Sequence, residues 1–365
     1  MAIALLAILL QLSCKKNLIT DPEPSSAITT NAQDVYIVGA NGTDVSALAP
    51  KAYLYSNQKL METPLNGEIK GIRVFSNKVY YFGASFPSNT TIASATFWKD
   101  NIPTVPAINF PDGTTSSKIY DLVSKGDDLY IAGTYYYNQR SIPFYAINGN
   151  FYKLDIPTSG WLTGTSKIKI AVTETNNVYV TVSFVNNAGQ YIGNWMDGQY
   201  SELVNVPYIK HQGFLELFDC VSNGKDVYTV GSMTDQNKNT AFYCKNKELI
   251  KLSDDTKSTR AFTITIKDND IYVGGQIAGV ACVWKNNKEN ITLLECGTYE
   301  DSQVRAIGFN GNQPVFAGIM SKFINTTSTH VEGESKLVYW KNNQYTIYAE
   351  NNTNWTANNQ WITVK

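Results

Sequence analysis

The sequence predicts an all-β chain folded as a seven-bladed β-propeller with four-stranded antiparallel blades. Three observations predict it. One phrase recurs along residues 27–365 as Asp34-Val-Tyr-Ile-Val-Gly39, Lys78-Val-Tyr-Tyr-Phe-Gly83, Asp128-Leu-Tyr-Ile-Ala-Gly133, Asn177-Val-Tyr-Val-Thr-Val182, Asp226-Val-Tyr-Thr-Val-Gly231, Asp270-Ile-Tyr-Val-Gly-Gly275 and a degenerate Pro314-Val-Phe-Ala-Gly318. Its aromatic anchors (Tyr36, Tyr80, Tyr130, Tyr179, Tyr228, Tyr272 and Phe316) lie 44, 50, 49, 49, 44 and 44 residues apart. That is the period of a propeller blade, roughly 40 to 50 residues. Composition agrees, since 23 Tyr against 5 Met, with Tyr/Val/Ile runs parted by Asn-rich turns, is the balance of a β chain.

Each repeat supplies strands a to d in order. Strand a precedes the phrase, as in Ile72-Arg73-Val74-Phe75, Ile168-Lys169-Ile170-Ala171 and Phe262-Thr263-Ile264-Thr265-Ile266, and a short polar turn leads from it into the phrase, strand b. Strand c ends in a polar turn: Phe97-Trp98-Lys99-Asp100, Val283-Trp284-Lys285-Asn286 and Tyr339-Trp340-Lys341-Asn342, with looser copies at Tyr55-Ser56-Asn57, Ala146-Ile147-Asn148-Gly149, Trp195-Met196-Asp197-Gly198 and Cys244-Lys245-Asn246. The Asn or Asp stands where a hairpin into strand d wants a side chain that tolerates left-handed backbone, so it reads as turn punctuation rather than a ligand. The a-b order resembles NHL-type and related bacterial propeller repeats. That resemblance implies fold only and brings no catalytic residues. Ring closure requires the ends to meet, and both Ala27-Ile28-Thr29-Thr30 and Trp361-Ile362-Thr363-Val364 read as strand a, one completing a blade begun at the other end.

Residues 1–12 are almost unbroken apolar sequence, too short to span a bilayer, which takes about 20 helical residues. They read as a signal-peptide core. The Gln11-Leu12-Ser13-Cys14-Lys15-Lys16 that follows resembles the lipobox of bacterial lipoproteins, in its Bacteroidetes form. It departs from the pattern in having no basic residue ahead of the apolar run and Gln11 where an aliphatic residue is usual. The resemblance implies a signal peptide over residues 1–13, acylation of Cys14, a tether over 14–26 carrying Pro22 and Pro24, and an outer-membrane lipoprotein of the cell envelope.

Thirty Lys+Arg against 31 Asp+Glu give a net charge of −1, so no global field draws in nucleic acid. Strand alternation places the a-b and c-d turns on one face and the longer, more varied b-c and d-a loops on the other, where recognition is expected. The d-a loops there carry the candidate ligand-binding residues Trp161, Tyr208, His211, Tyr299 and Trp355, whose rings suit sugar faces or a protein partner. His211 and His330 stand in separate repeats, so no histidine metal cluster is expected and no cofactor is implied. No nucleophile elbow, P-loop, dinucleotide fingerprint or calcium loop occurs, so no catalytic residue is named. The expectation is a non-catalytic binding module for a polysaccharide or an envelope protein. Its rivals are a polysaccharide hydrolase or lyase using Asp254, Asp255, Glu300 or Asp301, and a structural lipoprotein of an outer-membrane complex. Oligomeric state is left open. Cys220, Cys244, Cys282 and Cys296 are expected buried and free, because their strand positions do not match for bridging.

Overall fold

The structure, a computed structural model, describes residues 35–40, 52–56, 59–63, 67–75, 78–86, 92–99, 102–157, 160–163, 166–207, 214–235, 238–253, 256–326, 331–349 and 360–364. Of residues 35–67, 206–207, 235, 323–326, 331–334, 348–349 and 360–364 only the backbone is described. Residues 33–365 form one compact unit. Residues 1–32, with Cys14 and the expected boundaries at 13/14 and 26/27, lie outside the described residues.

The described strands form seven four-stranded antiparallel sheets. Six are blades of consecutive sequence. In chain order, blade 1 takes Gly67–Phe75, Lys78–Ser85, Ser94–Lys99 and Ile102–Thr104. Blade 2 takes Ser116–Lys125, Asp128–Tyr137, Arg140–Ile147 and Asn150–Lys153. Blade 3 takes Ile168–Val172, Val178–Val185, Gly189–Met196 and Gln199–Pro207. Blade 4 takes Phe214–Asn223, Asp226–Asp235, Lys238–Lys245 and Glu248–Lys251. Blade 5 takes Thr259–Lys267, Asp270–Ile277, Val280–Lys285 and Ile291–Leu293. Blade 6 takes Asp301–Asn310, Gln313–Thr326, Val331–Lys341 and Gln344–Ala349.

The expectation of a seven-bladed propeller is therefore corrected: the structure has six blades, each a single run of sequence, and a closing sheet built from both ends of the chain. The first repeat contributes only Val35–Ala40, Ala52–Ser56 and Lys59–Thr63, and Gln360–Val364 fills the fourth place of that sheet. It pairs antiparallel with Val35–Ala40, from Val35 opposite Val364 to Gly39 opposite Gln360. Of the two candidate closing strands, 361–364 thus does the closing, and residues 27–30 lie outside the described residues. Gln360–Val364 also neighbours the first strands of blades 6 and 1, so this closing sheet leaves neither blade with a bare face.

Strand a of every blade lines a central channel. The short strands d of blades 1, 2, 4 and 5 are mostly exposed. The cores lie between blades rather than within them. Phe82 and Phe97 of blade 1 pack with Ile119, Leu122 and Phe144 of blade 2, and Tyr130, Tyr145 and Leu154 of blade 2 pack with Ile168, Val180 and Trp195 of blade 3. Clusters of the same kind join blades 3 and 4, 4 and 5, and 5 and 6. The strand c tryptophans Trp98, Trp195, Trp284 and Trp340 are all buried, and burying a large apolar side chain contributes about 1.5–3 kcal/mol.

The repeated phrases become two devices. In blades 1, 2, 4, 5 and 6 strand a carries a β-bulge, at Lys70, Tyr120, Phe218, Phe262 and Arg305. Opposite each bulge stands the glycine of the phrase: Gly83, Gly133, Gly231, Gly275 or Gly318. A Cβ there would lie 1.8–2.3 Å from a strand a carbonyl oxygen, that of Glu68, Lys118, Glu216, Arg260 or Gln303. In blade 3, where the phrase ends in Val182 instead, Ile168 pairs with Val182 without a bulge. The second device is a clamp at the c-d turn. Asn148, Asp197, Asn246, Asn286 and Asn342 adopt left-handed backbone, φ 47–68°, as expected. Asn286 also accepts the Ile271 N–H at 2.7 Å and donates to Asp270 at 2.9 Å, while Lys285 pairs with Asp270 at 2.6 Å and lies over the Tyr272 ring. Asn246, Lys245, Asp226 and Tyr228 repeat the arrangement in blade 4.

Candidate binding site

The channel is a cavity of about 260 Å³ lined by strand a from all six blades. Its lower part is plugged by an ion triad. The residue after the bulge is Asp121 in blade 2 and Asp219 in blade 4. Each carboxylate accepts the next N–H of its own strand, from Leu122 at 3.0 Å or Cys220 at 2.9 Å, and that of strand a in the following blade, from Ile170 at 3.2 Å or Ile264 at 3.4 Å. Arg73 of blade 1 joins them. Its Nε and Nη2 donate to the two oxygens of Asp121 at 3.1 and 3.0 Å, and Nη2 donates to Asp219 at 2.9 Å. Against the opposing effect of burial, Arg73 and Lys169 hold the Asp219 carboxyl below the usual carboxylate range, and the two carboxylates raise the Arg73 guanidinium. A charge group so fully hydrogen-bonded acts as a structural lock between blades.

Above the plug, towards the d-a loops, the lining turns cationic. Lys70, Lys167, Lys169 and Arg305 all face this cavity. Lys70 shares Glu68 with Lys118 of blade 2, and these two ammoniums hold the Glu68 carboxyl low although burial works the other way. Burial pushes the Lys167 ammonium down, and Lys169, Lys70 and Arg305 push it further. Burial, then the neighbouring Arg260, brings Arg305 down to about 10. Among the described residues Arg305 makes no ion pair; its Nε and Nη2 donate to Gln303 Oε1 at 3.0 and 2.6 Å, and its guanidinium stacks 3.9 Å from the Phe262 ring centroid. Gln303 in turn donates to Asp301 at 3.1 Å. Cations massed in a partly desolvated hollow favour any ligand that brings negative charge.

Of the residues singled out in the sequence, Trp161 lies on the loop face, 46% exposed, exchanging backbone hydrogen bonds of 2.8 and 3.0 Å with Val185. Tyr299 packs against the core between blades 5 and 6. Tyr208, His211 and Trp355 lie outside the described residues, as do Asp254 and Asp255. Glu300 is exposed, and Asp301, half-buried at the start of strand a in blade 6, has its carboxyl raised by burial. Cys220, Cys244, Cys282 and Cys296 are buried and form no disulfide. No group of three His, Cys, Asp or Glu able to hold a metal occurs among the described residues.

Sequence reasoning passed over the channel cations, although the repeat contains a signal for them. Ten residues ahead of the anchors Tyr80, Tyr130, Tyr179, Tyr228 and Tyr272 stand Lys70, Tyr120, Lys169, Phe218 and Phe262, with Arg305 eleven ahead of Phe316. That column faces the channel and holds three cationic and three aromatic side chains.

No protein-family model and no curated protein sequence matches the chain. Solved structures share its architecture. It is similar to the Pyrococcus horikoshii acylaminoacyl peptidase with a TM-score of 0.50 and 10% identity, over 88% of this chain and 51% of that one. The fold is a β-propeller. The propeller domain of the Trilobed protease from Pyrococcus furiosus aligns at TM-score 0.47 and 12% identity, over 89% of this chain and 94% of that one. The polysaccharide lyase Uly1 aligns at 0.47 and 10%, over 85% and 89%. The propeller covers only about half of the peptidase, and likeness at this identity concerns the fold alone.

Proposed function

We propose that this protein is a non-catalytic binding module of the bacterial cell envelope, a propeller of NHL-like repeats tethered to the outer membrane through a lipid on Cys14, and that it recognises an acidic polysaccharide at the loop-face mouth of its channel. The observation that carries this reading is the convergence of Lys70, Lys167, Lys169 and Arg305 on one hollow of about 260 Å³, with Arg305 unpaired among the described residues. Such a hollow takes a single carboxylated or sulfated sugar unit, and a neutral glycan brings nothing to balance its charge. Trp161, Tyr208, His211, Tyr299 and Trp355 are proposed as further ligand contacts.

Calorimetric titration of the protein with polyuronate, sulfated and neutral polysaccharides tests the reading. Saturable binding of acidic chains is expected, weakening with salt and falling at least about tenfold in a Lys167→Ala, Lys169→Ala double variant. Equal binding of neutral chains, or no binding of acidic ones, would overturn it. The catalytic alternative rests on Asp301, which accepts from Gln303, the partner of Arg305, and whose carboxyl burial raises. New reducing ends or unsaturated products, abolished by Asp301→Asn, would replace the binding reading with that one.

A further inference from the structure

Between blades 3 and 4 a second cavity, of about 680 Å³, opens on the loop face. The cause lies in blade 3. Its strand a, Ile168–Val172, has 5 residues, whereas those of the other five blades have 9 or 10, so it stops short of the loop face while strand a of blade 4 continues up to Phe214. The gap is walled by the apolar side chains of Phe184, Val185, Leu215 and Phe218 and edged by Phe214, which is 61% exposed. Lys167, Leu217 and Phe218 line both this cleft and the channel, so the two hollows adjoin. Arg260 lines the cleft with its Nε buried and lacking a hydrogen-bond partner. Its Nη2 is 3.5 Å from Glu216, and the charge of Arg305 bears on it.

We infer that the ligand extends from the channel into this cleft: an acidic saccharide of two or more units, with one acidic group over Lys167, Lys169 and Arg305 and the apolar face of the next unit against Phe214. The inference rests on the proposed anion-binding channel and adds its length and direction. An apolar wall alone would suit many occupants. A wall that begins at a cationic hollow, and holds a guanidinium with an unused donor, suits a chain that alternates apolar ring faces with negative charge.

The experiment compares a uronic acid monosaccharide with its dimer, trimer and tetramer, titrated into the protein and into the Phe214→Ala variant. The exposure of Phe214 leaves the fold intact in that variant, which matching thermal unfolding curves would verify. Affinity is expected to rise about tenfold or more from monomer to trimer, and Phe214→Ala should remove the rise while leaving monomer affinity unchanged. A length-independent affinity, or a gain that survives in Phe214→Ala, would overturn the extended ligand and leave the channel reading standing. Failure of monomer and oligomers alike would remove the channel reading itself, and this inference with it.

Discussion

Arg73 belongs to blade 1, yet its partners are Asp121 in blade 2 and Asp219 in blade 4. Replacing it by Met leaves two buried carboxylates without their counter-charge, and a loss of about 3 kcal/mol is expected at neutral pH. The pH dependence follows from Asp219. Its folded-state pKa is depressed, so the stabilisation it contributes is present above the unfolded value of about 3.9 and is lost as pH falls through the folded value. Without Arg73, burial dominates and raises that group. The deficit of Arg73→Met should therefore be largest near pH 7.5 and narrow towards pH 4.5, as urea denaturation at both values would report; a constant deficit would contradict the ion lock. A second single-residue test concerns the turn clamp. Asn286→Ala loses two hydrogen bonds and places Ala at φ 68°, for an expected cost of about 1–2 kcal/mol, whereas Asn286→Gly should recover the backbone part. The left-handed Asn was legible from its place after strand c. The Asp270 and Lys285 that complete the clamp were not, because they come from two phrases that only pairing of strands b and c brings together.

At the scale of the strand, the bulge explains why the phrase ends in glycine. Gly133 needs no unusual φ; it needs the absence of a Cβ, which would sit 2.0 Å from the Lys118 oxygen. Gly133→Ala is expected to cost about 1–3 kcal/mol or more by forcing strands a and b apart. Gly126, at φ 60° with nothing within 4 Å of its Cβ position, provides the contrast, since Gly126→Ala should cost only the left-handed strain of about 1 kcal/mol. Equal losses in thermal unfolding would remove the bulge from the account. The strands themselves were readable because each repeat restates its alternation, whereas the meaning of Val182 in place of glycine became plain only once blade 3 was seen to pair without a bulge. The site was harder to read. Its charges come from three blades and form no local motif, so Lys70, Lys169 and Arg305 emerge only when repeats are aligned on their aromatic anchors, and Lys167 only as the neighbour of Lys169. The loop aromatics drew attention because rings outside a strand pattern stand out in a sequence, whereas a lysine within a strand looks like an ordinary exposed position until a ring of strands turns it inward.

At the scale of the whole molecule, stability is shared among interfaces between blades, and each blade depends on the next to bury its faces. A ring of this kind has one seam. Here it is the ladder between Gln360–Val364 and Val35–Ala40, where five residue pairs join the two ends of the chain. Because Gln360–Val364 also adjoins strand a of blades 6 and 1, removing it bares faces on both sides of the closing sheet as well as the edge of Val35–Ala40. Deleting residues 358–365 is therefore expected to lower the melting temperature of the whole propeller and broaden its unfolding transition, rather than fray one sheet. A free peptide of the deleted sequence should restore the transition in a concentration-dependent way, because a strand that binds only the folded ring stabilises it by mass action. Scanning calorimetry with and without the peptide separates the cases. An unchanged melting temperature after deletion would mean that blades 1 and 6 hold the ring without the seam, and rescue by a scrambled peptide would mean that apolar cover, rather than the registered ladder, is what closes it.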